Sequence, residues 1–391
     1  MYNIKLENYV PTPCPATADR IVAAHYYPAW KKGTAGFHRG FDDLHGFPER
    51  TPLLGYYDGD SPEACDWEIK WAIEHGINCF IFCWYRKKDN FGKPMTVSDL
   101  RLGETLHNGF LNAKYGNMMN FAIMFEAQND WGGTDEEDLI NNLMPFWIEN
   151  YFRRENYLKI DGKPVLFVYD AHSQIKNAFA DAQDQKRVFD KCRKIAVDAG
   201  FDGMIFAIEY RGEETAEIEE YCRQGYDFAY AYCWRVKKEN LTNETVISEQ
   251  VRKNSIHLNE NPYTFCPTAS AMWDPSPRFI TMPDRFTLAR HSPLWKLKPE
   301  EFRRLLRELV NLTENLPSDS IGRKLLMLDN WNEWDEGHYI MPSHEFGFGY
   351  VQGVREEFTK RDNLPDYRTP QDICPKNNIN NTWDEPDFSK T

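Results

Sequence analysis

Short apolar runs rich in β-branched and aromatic residues alternate along this chain with longer stretches in which apolar residues recur at helical spacing. The short runs are Ile21–Tyr26, Ile77–Tyr85, Asn120–Phe125, Pro164–Tyr169, Gly203–Glu209, Phe228–Tyr232, Thr264–Met272 and Lys324–Asp329. Ser61-Pro62 opens a helix through Glu74, with proline at the first helical position and Gly76 just past the end. Thr134 with Glu137 reads as a capping box for a helix through Phe152. Further helices are predicted over Asp184–Ala199, Glu213–Arg223, Glu244–Ile256, Pro299–Asn315 and Tyr350–Phe358, and a looser helical stretch ends near Gly116. Eight strand–helix units in about 340 residues predict an α/β fold of the (β/α)8, or TIM-barrel, type. The expected organisation is one domain over residues 1–360, followed by a polar, Pro- and Asn-containing tail over 361–391. A doubly wound sheet would carry a Gly-rich phosphate turn after its first strand, where this chain has His25-Tyr26-Tyr27-Pro28.

Composition narrows the function classes. A net charge of −14 opposes a nucleic-acid or anionic-membrane surface, both of which need a basic footprint. The longest apolar-aromatic runs, such as Cys79 to Tyr85, fall far short of a membrane span, and Met1-Tyr2-Asn3-Ile4-Lys5 does not read as a signal peptide. Nine Cys are scattered without metal-type pairing. Cys79 and Cys83, four apart in a strand-like run, share one face as buried thiols. Together these features point to a reducing, cytoplasmic compartment, or to the periplasm where a leader has been removed. Aromatics reach 15%, with 12 Trp and 20 Tyr, the side chains on which sugar rings stack.

In a (β/α)8 barrel the site lies at the C-terminal ends of the strands. The residues there are His25, Tyr26 and Tyr27 after the first strand, Trp84 and Tyr85 after the second, and Glu126, Asn129, Asp130 and Trp131 after the third. Asp170, Glu209, Tyr232 with Trp234, and Trp273 with Asp274 follow the next four, and Asn332, Glu333, Trp334 and Glu336 follow the eighth. Carboxylates, amides and aromatics on one rim predict a carbohydrate cleft, with Trp84, Trp131, Trp234, Trp273 and Trp334 grouped around it. The competing role for any one of these aromatics is to fill the gap between barrel and helices. Glu333 and Glu336 are three apart, so on a straight strand they would face opposite ways; a turn at Gly337 lets both face the cleft. Two carboxylates suit glycosidic cleavage, and crowding should leave one of them protonated near neutral pH.

The stretch Trp331-Asn332-Glu333-Trp334-Asp335-Glu336-Gly337 resembles the Trp-Asn-Glu-Trp-x-Glu-Gly motif of glycoside hydrolase family 99, and equally the broader WbsX-type family of bacterial polysaccharide loci. Gly55-Tyr56-Tyr57-Asp58, Ala72 to Phe82, Trp273-Asp274 with Pro277-Arg278, and Phe346 to Val354 extend the resemblance from about Val22 to Phe358. It implies a (β/α)8 barrel and retaining cleavage of α-linked manno-configured (mannosyl or rhamnosyl) residues in a poly- or oligosaccharide, with no metal or cofactor. It further implies that Glu333 acts as base on the substrate's own 2-hydroxyl, and that Glu336 acts as acid and then base. Asp335 departs from the His usual in family 99, and Phe125-Glu126-Ala127-Gln128-Asn129-Asp130-Trp131 is closer to the WbsX type; both departures leave the sugar open. The rivals are a WbsX-type glycosyltransferase in polysaccharide biosynthesis and a non-catalytic carbohydrate-binding barrel. A transferase would need a nucleotide site, for which Asp58-Gly59-Asp60 has the spacing, although acidic residues there also suit the helix start at Ser61-Pro62. No His-Glu-x-x-His spacing is present, and His338 and His344 are too isolated to count as a ligand set.

Overall fold

The computed structural model describes residues 9–31, 40–127, 133–170, 173–237 and 241–373. Its centre is a closed parallel barrel. The first strand, β1 (Ile21–Tyr26), leads to helix α1 (Pro62–Glu74), and β2 (Cys79–Arg86) and β3 (Asn120–Glu126) follow. Next come β4 (Lys163–Tyr169), α2 (Ala182–Asp198), β5 (Ile205–Glu209), α3 (Thr215–Arg223), β6 (Phe228–Tyr230) and α4 (Asn243–Glu260). The seventh strand, β7, has two pieces, Phe265–Cys266 and Thr268–Ala269, and α5 (Pro299–Thr313), β8 (Leu325–Asn330) and α6 (Gly349–Phe358) complete the circuit.

Pro267 explains the break in β7. It has no N–H for the ladder, so pairing changes sides across it. Phe265 and Cys266 pair with β6, whereas Thr268 and Ala269 pair with β8. Since β8 also pairs with β1, this switch closes the barrel. No helix among the described residues is long and apolar enough to cross a membrane.

Local sequence sets the helix ends. The Ser61 hydroxyl accepts from the Ala64 N–H, Pro62 occupies the first turn, and Gly76 follows α1 at φ +88°. On α5 the buried residues Phe302, Leu305, Leu306 and Leu309 recur at helical spacing and form one apolar stripe against the barrel. The helical segment 136–152 departs from expectation in its cap. Asp135, rather than Thr134, accepts from the Asp138 N–H at 2.9 Å, while the Thr134 hydroxyl turns to the Asp138 carboxylate. Aspartate is the stronger cap of the two. The segment then alternates α and π turns. The looser stretch before Gly116 consists of short 3-10 and π turns rather than one helix.

Strand parity decides which side chains face the barrel axis. On β2 the even positions Phe80 and Phe82 pack outward on Phe110, and the odd position Cys83 points inward to the Tyr232 hydroxyl. Cys79, Cys83, Cys233 and Cys266 are all buried free thiols. Near the top of β1 the register with β8 slips between Ala24 and His25, a bulge that tilts His25 toward the Tyr230 and Tyr232 rings.

Candidate active site

The chain leaves β8 at Asn330 and folds into a two-residue ladder, Asn332–Glu333 against His338–Tyr339. Gly337 closes the turn between them at φ +61°, and a Cβ there would collide with the Asp274 carbonyl. This turn brings Glu333 and Glu336 to one side despite their odd spacing. Gly337→Ala is therefore expected to cost about 1–3 kcal/mol in urea unfolding. Wild-type stability in that variant would show that the turn does not depend on glycine.

Both glutamates meet the guanidinium of Arg278, which is carried by the short helix Ser276–Thr281 just past β7. Its Nη2 donates to Glu333 Oε1 at 2.7 Å, its Nε to Asp335 Oδ2 at 2.9 Å, and its Nη1 to Glu336. All three planar donor directions are thus used on three carboxylates, a task for which a lysine has the wrong shape. The Tyr232 hydroxyl lies 3.1 Å from Glu333 Oε2 and 3.2 Å from Asn330 Oδ1. Behind Glu336, His338 Nε2 sits 2.8 Å from Glu336 Oε2, and its Nδ1 sits 2.9 Å from Asp329 Oδ1.

The two glutamates titrate in opposite directions. Burial raises Glu333 to about 7, with Arg278 opposing the shift and the charges of Glu336 and Asp335 adding to it. Burial acts on Glu336 too, but the Arg278 charge and the His338 hydrogen bond outweigh it and hold that carboxyl down at about 2. For His338, burial is overcome by its acidic surroundings and its bonds to Asp329 and Glu336, so the imidazolium is held well above the ordinary histidine range. Near neutral pH Glu333 is therefore poised between its protonated and ionised forms, Glu336 is ionised, and a proton is stored on His338.

The other expected rim residues divide into three groups. Tyr27 is buried beside the cluster, its hydroxyl held protonated by burial and by the Glu333 charge. Asn332 accepts from the Tyr27 N–H at 2.8 Å and so fixes that residue. His25, Tyr85, Glu126 and Glu209 lie on the inward parity of their strands, Tyr232 just past β6 turns its hydroxyl to Cys83, and Glu209 binds Arg211. Tyr85 and Tyr169 remain partly exposed, whereas Trp84, Trp234, Trp273 and Trp334 are buried.

A second group points away. Tyr26 donates to Glu68 of α1 at 2.6 Å. Trp84 donates to the Tyr151 hydroxyl and packs on Phe146 and Trp147, and Trp234 donates to the Thr268 carbonyl beside Lys253 of α4. These three fill the space between barrel and helices. Trp334 packs against Tyr339 within the ladder hairpin. Asp170 accepts from the Ile175 and Lys176 N–H groups in its own loop. Asp274 binds Arg50 at 2.8 Å and accepts from the Ser276 N–H at the start of the helix that carries Arg278. Among the described residues of the expected Trp group, only the Trp273 ring packs near the cluster, 5.7 Å from His338. The third group, Asn129, Asp130 and Trp131, lies outside the described residues. Asp60, from the Asp58-Gly59-Asp60 turn, is bound by Lys31 at 2.9 Å and precedes α1, which agrees with a helix-start role.

Arg278, Asp329 and His338 were not among the expected site residues. Pro277-Arg278 did stand out in the sequence as part of the motif set, but nothing local tied Arg278 to the acids of the strand-eight stretch.

Residues 41–354 match the family described as Glycosyltransferase WbsX. The chain belongs to the WbsX family. A relative, the uncharacterized protein WxcX of Xanthomonas campestris pv. campestris (strain B100), is 22% identical over 411 residues, covering 94% of this chain and 53% of WxcX. This WbsX member thus spans about half the length of the curated relatives it matches. Its fold is similar to that of a glycoside hydrolase family 99 endo-alpha-mannosidase from Bacteroides thetaiotaomicron, with a TM-score of 0.59 at 14% identity, covering 87% of this chain and 96% of that one. A protein described as glycoside hydrolase-like also superposes with a TM-score of 0.59 at 15% identity, over 90% and 98% of the two chains. The likeness establishes the (β/α)8 fold for this WbsX member.

Proposed function

We propose that this protein is a retaining glycoside hydrolase acting on α-linked manno-configured residues of an oligo- or polysaccharide. The observation that carries the reading is the pair Glu333 and Glu336, bound to one buried guanidinium at the C-terminal end of the barrel, with the proton-holding His338 against Glu336. General acid–base work on a glycosidic bond needs an ionised base and a proton for the acid; Glu333 can ionise near neutral pH, and His338 stores the proton that Glu336 delivers.

In the proposed sequence, Glu333 accepts the proton of the substrate 2-hydroxyl as that oxygen attacks the anomeric carbon. The bond to the leaving oxygen breaks, and that oxygen takes a proton from Glu336. Water then opens the 1,2-anhydro ring, giving one proton to Glu336, while the 2-oxygen recovers its proton from Glu333. Near neutral pH Glu333 is partly ionised; where it is protonated, it releases that proton to solvent before the first step. A hydroxyl donating to Glu333 favours its ionised form, and His338, hydrogen-bonded to Glu336, supplies the proton that Glu336 passes on.

This sequence has a pH signature. Glu333 must be ionised to act as base, and its burial raises it to about 7. The kcat/KM profile is therefore expected to rise with pH through about 7 and to fall only where His338 loses its proton, giving a bell whose acid limb is displaced upward. A profile flat from about pH 5 to about pH 8 would count against Glu333 as the base. The direct test of the activity is digestion of a panel of α-mannosyl and α-rhamnosyl polysaccharides, read by product size. Parallel incubations with nucleotide sugars, with and without manganese, report transfer. Transfer products without any hydrolysis would replace this reading with the glycosyltransferase one.

A further inference from the structure

Arg235 differs from the other buried or half-buried arginines near the C-terminal ends of the strands in having no ion-pair partner among the described residues. Arg50 is bound by Asp274, Arg86 by Asp138, Arg211 by Glu209, and Arg278 by its three carboxylates. Arg235 stands beyond the end of β6, half-buried, and its guanidinium lies over the Trp273 ring with Cζ 4.2 Å from the centroid. Its Nε is buried with no hydrogen-bond partner, and the side chain forms no ion pair among the described residues. A buried donor left in this state is unfavourable unless something else accepts from it.

The Trp273 face that could have received a sugar is covered by this guanidinium. What the site presents there is a planar, fixed cation rather than an aromatic platform. Stacking holds the guanidinium plane and removes much of the ordering cost of binding. The location is next to the chemistry: Trp273 adjoins His338, which binds Glu336, and the Arg235 charge reaches Glu336.

We propose that Arg235, held on Trp273, is a subsite for an anionic substituent, a carboxylate or a phosphate, on the sugar bound beside Glu336. The proposal deepens the glycoside hydrolase reading and rests on it for the sugar. The anion requirement rests only on Arg235 and its surroundings. A guanidinium fork accepts either group through two parallel N–H···O bonds, whereas a neutral hydroxyl offers one oxygen and no charge.

The test is calorimetric titration of the full chain and of Arg235→Gln with α-mannobiose, its 6-phosphate and its C6-oxidised uronate, and separately with inorganic phosphate. Wild type is expected to bind the phosphate or the uronate form about 10–100-fold more tightly than the neutral disaccharide, and the preferred form identifies the substituent. In Arg235→Gln that ratio falls to about one, and the saturable binding of inorganic phosphate shown by wild type is lost. Equal wild-type affinity for all three sugars overturns the proposal, as does a preference that survives in Arg235→Gln. Inorganic phosphate bound by wild type and not by the variant, with no disaccharide bound, keeps the anion subsite and removes the manno-configured substrate. Binding of neither sugars nor phosphate by wild type removes the subsite.

Discussion

Glu333→Gln and Glu336→Gln should each lower turnover by about 10²–10⁴-fold, the range for loss of one general acid or base. Each substitution keeps side-chain volume, and in each variant Arg278 retains its other two carboxylates, so circular dichroism and oligosaccharide binding should remain close to wild type. The two variants should separate by leaving group. An aryl glycoside whose phenol has a low pKa needs little protonation, so it should partly restore the first step in Glu336→Gln. It should not restore Glu333→Gln, in which the 2-hydroxyl still lacks its base. A 2-deoxy substrate should resist even the wild-type enzyme, because the internal nucleophile is absent. The opposite shifts give this experiment its force, since burial raises Glu333 to about 7 while Glu336 is held ionised. Rescue of Glu333→Gln by the activated glycoside, and not of Glu336→Gln, would exchange the two roles. Efficient cleavage of the 2-deoxy sugar would remove the 2-hydroxyl mechanism altogether.

The strand rhythm of the barrel was legible because each strand is short, apolar and β-branched, and because the helices between carry their own caps. The Ser61-Pro62 start and Gly76 stop of α1 fall where residue chemistry places them. Rim geometry was harder to read, since it depends on parity at the last one or two residues of each strand. Once Cys83 and Tyr85 point inward, Trp84 between them must point outward, yet all three belong to one aromatic-rich run. The same rule sends Tyr26 to Glu68 while His25 faces the axis. Parity inside a strand could thus have reassigned Trp84 and Tyr26. Trp234 lies past the end of β6, and Trp273 sits beyond β7 in a two-residue ladder with Trp295, so the alternation of the barrel strands governs neither. The turn that aligns Glu333 with Glu336 was readable from Gly337 alone. Arg278 was not, because pairing one cation with acids 55–58 positions away is a tertiary event with no local sequence signature.

Replacing that cation is expected to produce the largest stability change in the molecule. Arg278→Met keeps much of the side-chain length and removes the charge from a site where Glu333 and Asp335 are buried. Leaving buried charges unpaired typically costs about 3–5 kcal/mol, measurable as a lower urea midpoint at pH 8. The sign of the pH dependence then follows from linkage. In wild type Glu336 is held at about 2, below its unfolded value near 4.5, so its contribution is fully present above that value and is lost as pH falls toward 2. Without Arg278 the buried carboxylates are driven above their unfolded values, and the folded state binds more protons than the unfolded one. Wild type already gains stability as pH falls from about 8 to about 5 because Glu333 is raised to about 7, and Arg278→Met should gain more over the same range, since all the buried carboxylates then take up protons on folding. Arg278→Lys restores a charge but not the three-way fork, and should recover part of the stability and little of the turnover. Equal urea midpoints for Arg278→Met and wild type at both pH values would show that the three carboxylates are stabilised by something other than this guanidinium.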